Sequence, residues 1–318
     1  MSEKRISRKE FLRKSSAAVL GAGLAAEAAR LADAQGKSAP QAAKNAIAYR
    51  NATARKPLGR TGLSITPIGF GASRTMEPAL VKRALDAGIA FYDTGPSYFN
   101  GMNETMVGKA LAGRRKDVVI QSKLELVFRG DPAAGLGAAD AKRIVQEMNR
   151  SLENSLKALG TDYIDIMLVH NATLPAITHH EAIRQFFSAA KKAGKIRAHG
   201  FSAHTNHVEM LQAAVREKFY EVVMVPYNHR GAYVHSNSGR RGEWRQEELE
   251  AELKKARDLG MGLVAMKTCS GGPCPPKGGG EPDFPSALRW IYDRGRVDGM
   301  AVAIANYRQL EDDLKALA

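Results

Sequence analysis

Apolar runs near Ile68, Ile89, Val118, Ile164, Ile196, Val222, Gly262 and Met300, most parted by helix-length amphipathic segments, constrain this chain more than anything else in it. A run that is apolar throughout, rather than alternately polar, describes a strand covered on both faces. The intervening segments keep helical period. Ile144, Met148, Leu152, Leu156 and Leu159 share one face before Gly160, as Ile183, Phe186, Phe187 and Ala190 do before Gly194, and Leu249, Leu253 and Ala256 before Gly260. This alternation predicts an α/β fold, a (β/α)8 TIM barrel in a single domain, over a doubly wound sheet. No G-x-G-x-x-G follows the first strand, where Gly69-Phe70-Gly71 stops short, so the usual dinucleotide fingerprint is missing. The 318 residues and 44% hydrophobic content suffice for one large core. Pro57–Thr66 is rich in turn formers and predicts a short hairpin or cap at the barrel floor.

Barrel chemistry sits at the carboxyl ends of the strands. The run from Ile89 breaks into Asp93-Thr94-Gly95-Pro96-Ser97-Tyr98, so Asp93 closes a strand and Tyr98 stands in the loop after it. The strand from Asp117 is read as ending on Lys123, and the one from Tyr163 as ending on His170. Singly, each has a plainer role: a turn residue, a solvated strand end, a capped core histidine. Together they would project into one mouth if the strands are parallel neighbours.

D-T-G-P-S-Y, then S-K, then L-V-H, preceded by L-G-R-T-G-L-S-I-T-P-I-G-F-G, resembles the aldo-keto reductase superfamily, and the resemblance runs from about Lys56 to the end. It implies an NADP(H)-dependent oxidoreductase that reduces an aldehyde or ketone to an alcohol, with NAD as the alternative cofactor. A carbonyl receiving hydride needs a proton donor within hydrogen-bond reach of its oxygen. Tyr98 fits that role if a nearby ammonium lowers its pKa. Lys123 would supply the ammonium, Asp93 would hold Lys123 charged, and His170 would orient the carbonyl. The family's matching residues play these parts.

The resemblance also implies cofactor contacts. Gly200-Phe201-Ser202 is similar to the family's G-V-S-N, keeping Ser202 but placing Ala203 at the Asn, with His204 as a stand-in. Met224-Val225-Pro226-Tyr227-Asn228 is similar to Q-V-P-Y-N, with Met224 at the Gln. Met266 takes the place of a ring-stacking aromatic, and Lys267 would reach the pyrophosphate. Asn306-Tyr307-Arg308-Gln309-Leu310-Glu311-Asp312-Asp313 resembles the adenine-side N-x-x-Q-L-E-E-N, which brings in Gln309, Asp312 and Asp313; Ala305 stands where an arginine often meets a 2′-phosphate.

Residues 1–34 read as an export signal: Lys4, Arg5, Arg8, Lys9, Arg13 and Lys14, then the small apolar Ala17–Ala26, then Ala32-Asp33-Ala34 as a cleavage site. Ser7–Lys14 resembles the twin-arginine signal, with Lys9 at the second arginine. The expected location is periplasmic or exported, through the export machinery, and cytoplasmic if the signal does not function. The apolar run is short and interrupted by Glu27 and Arg30, which argues against stable membrane insertion. Residues 35–53 read as a linker, and 54–318 as the barrel. The chain ends inside or just after the last barrel helix. It therefore lacks, or is a fragment cut before, the iron–sulfur tail of some exported relatives.

The net charge of +14 is spread along the chain, which suits an anionic ligand better than nucleic acid. Cys269 and Cys274, the only two cysteines, cannot close a zinc site of four cysteines, and no metal is expected. They form either a loop disulfide or two free thiols. The expected partner is a small carbonyl substrate, and nothing sets an oligomeric state. Two other readings stay open: a weakly catalytic or non-catalytic nucleotide-sensing barrel that acts as a partner protein, and an exported anion binder.

Overall fold

The computed structural model describes residues 49–128, 130–131, 135–234, 239 and 241–318. The expected export signal and residues 35–48 of the expected linker lie outside the described residues. After one helical turn, Arg50–Thr53, come two short strands, β1 (Lys56–Pro57) and β2 (Ser64–Ile65), paired antiparallel. Then follow β3 (Ile68–Gly71), β4 (Phe91–Asp93), β5 (Val119–Glu125), β6 (Ile164–His170), β7 (Ile196–Ser202) and β8 (Val222–Pro226), with helices between. An antiparallel hairpin of β9 (Ala232–Val234) and β10 (Arg241–Glu243) precedes β11 (Gly262–Met266) and β12 (Gly299–Ala303). The sheet closes as a barrel in the order β3-β4-β5-β6-β7-β8-β11-β12, and β12 pairs back onto β3. All neighbours in it are parallel. The fold is the (β/α)8 barrel, its strands at or within a few residues of the apolar runs.

Strand alternation sorts the core into two layers. Phe91, Val119, Ile166, Leu168, Ala198, Val222, Met224, Val264, Met266 and Ala301 pack with one another inside the barrel. Leu58, Leu63 and Ile65 of the first hairpin join that inner cluster, so the hairpin plugs the floor. Gly59 makes the plug possible, because its φ is +51° and an added Cβ would lie 2.4 Å from the Gly260 carbonyl oxygen. The outward strand faces meet the helices. Ala138–Leu159 buries Ile144, Met148, Leu152, Leu156 and Leu159 and stops at left-handed Gly160. Each such buried side chain is worth ~1.5–3 kcal/mol relative to exposure.

The compact unit begins at Tyr49 rather than at Ala54. Arg50–Thr53 forms one helical turn with Ala52 fully buried, a turn too short to announce itself by period. The basic group near the end of Glu181–Lys192 is solvated and paired, Lys191 with Glu221 at 2.5 Å and Arg197 with Asp165 at 2.8 Å. No helix among the described residues is long and apolar enough to cross a membrane.

Candidate active site

β5 is the spine of the site. Its inward face, set by the two-residue period, carries Val119 in the core and then Gln121, Lys123 and Glu125 towards the mouth. Lys123 therefore lies inside the strand rather than at its end. Its Nζ donates to Asp93 Oδ1 at 2.6 Å and to the Thr94 carbonyl at 2.7 Å. Gln121 Nε2 donates to the same Asp93 oxygen at 2.7 Å. Asp93 closes β4 as expected, and both members of the ion pair are almost wholly buried. A buried pair survives loss of solvation only when further hydrogen bonds satisfy it, which Gln121 and Thr94 do here.

Tyr98 sits above this pair, its hydroxyl 3.5 Å from Asp93 Oδ2 and its ring 4.8 Å from Lys123 Nζ. The loop that carries it is pinned by Asn103, which donates to the carbonyls of Ala72 and Thr75 and accepts from the Thr94 hydroxyl at 2.7 Å. Phe99, Asn100 and Gly101 follow in the left-handed region, at φ 49°, 54° and 85°. Left-handed backbone at non-glycine residues costs about 1–3 kcal/mol each and clusters at functional sites. His170 ends β6, its ring edge-on to Tyr98 with centroids 6.4 Å apart. Its Nδ1 lies 2.5 Å from Glu125 Oε1. The structure thus brings Asp93, Tyr98, Lys123 and His170 together.

The electrostatics correct one expectation. Burial pushes the Tyr98 phenol up, and the Lys123 ammonium opposes that shift without reversing it. The net direction is upward, so Tyr98 keeps its proton at neutral pH. Burial pulls Lys123 down, but Asp93 and then Tyr98 outweigh it, and the ammonium is held above its ordinary value. Glu125 is held below the usual carboxylate range, chiefly by its hydrogen bond with His170.

A cavity of about 410 Å³ opens from Asp93 and Tyr98 across the mouth, past Met224, Met266 and His204, to Lys267, Arg74, Ser270 and Gln309. A larger groove of about 630 Å³ lies between the helices Met102–Ala110 and Ala138–Leu159, but none of the strand-end residues reaches it, whereas Asp93 and Tyr98 line the smaller one. A further pocket of about 190 Å³ opens beside His170, walled by Leu126, Phe128, Leu174 and Ile177.

The expected cofactor residues divide. Met266, Lys267 and Gln309 line the cavity, and so does His204, while Ala203 is buried in the core. Lys267 has a left-handed backbone, and its ammonium is pulled down to about 8 by burial and then by Arg74. Ser202 is fully buried, its hydroxyl 3.4 Å from the Val169 carbonyl. Tyr227 requires correction, because it follows the last strand residue of β8 and turns outward. Its hydroxyl donates to Glu250 at 2.8 Å, its ring packs on Trp290, and it does not line the cavity. Asp312 and Asp313 stay off the wall as well. Asp312 pairs with Arg308 at 3.7 Å, one helical turn away. Asp313 is buried, its Oδ2 without a partner among the described residues, and burial followed by Asp312 pushes it up to about 7. Cys269 and Cys274 are free thiols.

A nicotinamide dinucleotide fits this trough in chemical kind: two cations at one end for phosphate, a soft thioether floor, and the phenol at the other end. Gln121 Oε1, behind Asp93 and Met224, is a buried acceptor with no partner among the described residues. Residues 72–286 match the family model described as the aldo/keto reductase family, a span that includes Asp93, Tyr98, Lys123 and His170. The chain belongs to that family. "Aldo-keto reductase YhdN" of Bacillus subtilis is 33% identical over 177 residues, 53% of this chain and 50% of that protein. The chain thus spans about half the length of that relative. A protein of Oryza sativa named for the voltage-gated potassium channel β subunits is 36% identical over 133 residues, 38% of each chain. The holo form of aldo-keto reductase AKR11C1 from Bacillus halodurans superposes with a TM-score of 0.64 at 21% identity, covering 82% of this chain and 90% of that one, a likeness of fold.

Gln121, Glu125 and Asn103 were missed from the sequence. Reading β5 two residues past Lys123 would have put Q-x-K-x-E on one face and found the first two. Asn103 lies on a helix with no sequence mark to separate it from a surface amide.

Proposed function

We propose that this aldo/keto reductase family chain reduces an aldehyde or ketone to an alcohol with NADPH, Tyr98 serving as the proton donor. One observation carries this reading: a buried ammonium, Lys123, held by Asp93 beneath a phenol that faces the cavity. Lys267 and Arg74 would hold the phosphates, Met266 and Met224 would underlie the nicotinamide, and Gln309 would meet the adenosine end. A reduced nicotinamide, when bound, supplies the hydride.

The carbonyl oxygen gains charge as its π bond breaks and takes the Tyr98 proton. Lys123, already charged, stabilises the phenolate left behind, so its charge serves the transition state more than the ground state. The proton-bearing state favoured by burial is the one a donor needs, which offsets the absence of a lowered pKa. The basic wall of Arg74 and Lys267 favours the phosphorylated NADP over NAD, while Ala305 supplies no arginine.

Purified protein should quench or shift NADPH fluorescence and then consume NADPH with 4-nitrobenzaldehyde. Binding without consumption would favour a nucleotide-sensing barrel, a reading supported by the channel-subunit relative and by Ala203 and Met224 at the family's amide positions. The N-terminal 34 residues, on their sequence alone, support export by the twin-arginine route. Fusing them to a folded reporter and following periplasmic activity tests this.

A further inference from the structure

We propose that Glu125 is a positioning residue that locks the His170 imidazole, engaging Nδ1 so that Nε2 is the nitrogen presented to the substrate oxygen. Glu125 and His170 are direct partners across the β5–β6 ladder, each the last residue of its strand. Directly opposed side chains on parallel neighbours share one face, so the carboxylate needs no loop to reach the ring. The contact is 2.5 Å, shorter than the roughly 2.7–2.9 Å usual for a charge-assisted N–H···O bond. A carboxylate only accepts, so Nδ1 must carry a proton. Ser97, the residue before Tyr98, also helps hold that carboxylate below its usual range.

Tyr98 meets the ring edge-on with centroids 6.4 Å apart, and the His204 ring lies at 6.0 Å. With Nδ1 occupied, Nε2 donates to the carbonyl oxygen when protonated, and accepts from the alcohol hydroxyl in the reverse direction when bare. Without Glu125 the ring can flip or change tautomer, and the nitrogen facing the oxygen is no longer fixed. The proposal rests on the reductase reading for its catalytic consequence but not for the tautomer itself.

The test uses the full chain and the variants Glu125→Ala and Glu125→Gln. Long-range ¹H–¹⁵N spectra of the nucleotide-free protein at about pH 9, above the ordinary imidazole range, with His170 assigned by its loss in His170→Asn, should show the Nδ1–H form. Glu125→Ala should mix the tautomers, and Glu125→Gln, which keeps an acceptor oxygen, should largely retain the lock. In reduction of 4-nitrobenzaldehyde, Glu125→Ala should lower kcat by roughly 10–100-fold. The NADPH fluorescence titration should not change, and Glu125→Gln should recover part of the loss. An Nε2–H tautomer in the parent protein, or a Glu125→Ala variant with unchanged tautomer and kcat, overturns the proposal while leaving the reductase reading intact. If the parent reduces no carbonyl, the reductase reading falls and the tautomer spectrum alone decides what Glu125 does.

Discussion

The two sides of the barrel mouth are built on opposite terms. On the β4–β6 side the buried polar groups of Asp93, Lys123 and His170 are matched: Lys123 to Asp93 and Thr94, Asp93 also to Gln121, His170 to Glu125. Across the mouth, burial pulls the Lys267 ammonium down to about 8, and Met224 and Met266 offer only thioethers. A matched network has its dipoles in place before a reaction begins and costs no reorganisation at the transition state. An unmatched wall is completed by what it binds. The first side is suited to chemistry and the second to a ligand, and substitutions on the two should fail differently.

Apart from loss of the Tyr98 hydroxyl itself, the largest effect should come from Lys123→Met. It removes the ammonium beneath Tyr98, and reduction should fall on the order of a thousandfold, while the fluorescence titration with NADPH moves little. A comparable loss of nucleotide affinity would erase the distinction between the sides.

Acid should separate them next. His179, His199 and His207 pack around β7 and its flanking helices. His199 is sandwiched between Phe187 and Phe219, His179 lies against Phe201 and Tyr220, and His207 against Trp244. Burial pulls each down to about 4. The groups facing them are the Arg184 and Arg216 guanidiniums and Glu217 for His179, and Glu221 and Lys191 for His199. A folded value below the unfolded one means the unfolded chain binds more protons between the two. Stability therefore falls as pH drops from about 6.5 towards 4, by on the order of 1 kcal/mol or more per histidine. Hydrogen exchange at pH 5 should open the β7–β8 amides before those of β4–β6; the reverse order would count against this.

Asp313→Asn should act in the other direction. A carboxyl raised to about 7 stabilises least above that pH, because the unfolded chain ionises more readily. The variant should melt higher than the parent at pH 8 and gain less at pH 5, read by calorimetry. Lys267→Ala should do least, weakening NADPH roughly tenfold or less. The parent itself should lose affinity as pH rises through about 8, where the Lys267 ammonium is lost.

What could be read from the chain follows the same division. Asp93, Lys123 and His170 are borne by strands whose ends are marked by a change from apolar to polar residues, so their convergence follows from parallel pairing alone. Tyr227 illustrates the limit. It adjoins a strand end in a familiar string, yet one step of the pleat sends it outward to Glu250 and Trp290. Asp313 lies on the buried face of its helix rather than on the cavity wall, a matter of helical phase that a motif does not specify. The net direction of the Tyr98 shift was equally hidden, because burial, the larger influence, depends on packing that no local string encodes.

The most direct test of the central claim, that the phenol over Lys123 donates the proton, is Tyr98→Phe assayed two ways on one preparation. NADPH binding by fluorescence should stay within about twofold of the parent, and carbonyl reduction should be abolished. Near-full turnover in Tyr98→Phe would contradict the account.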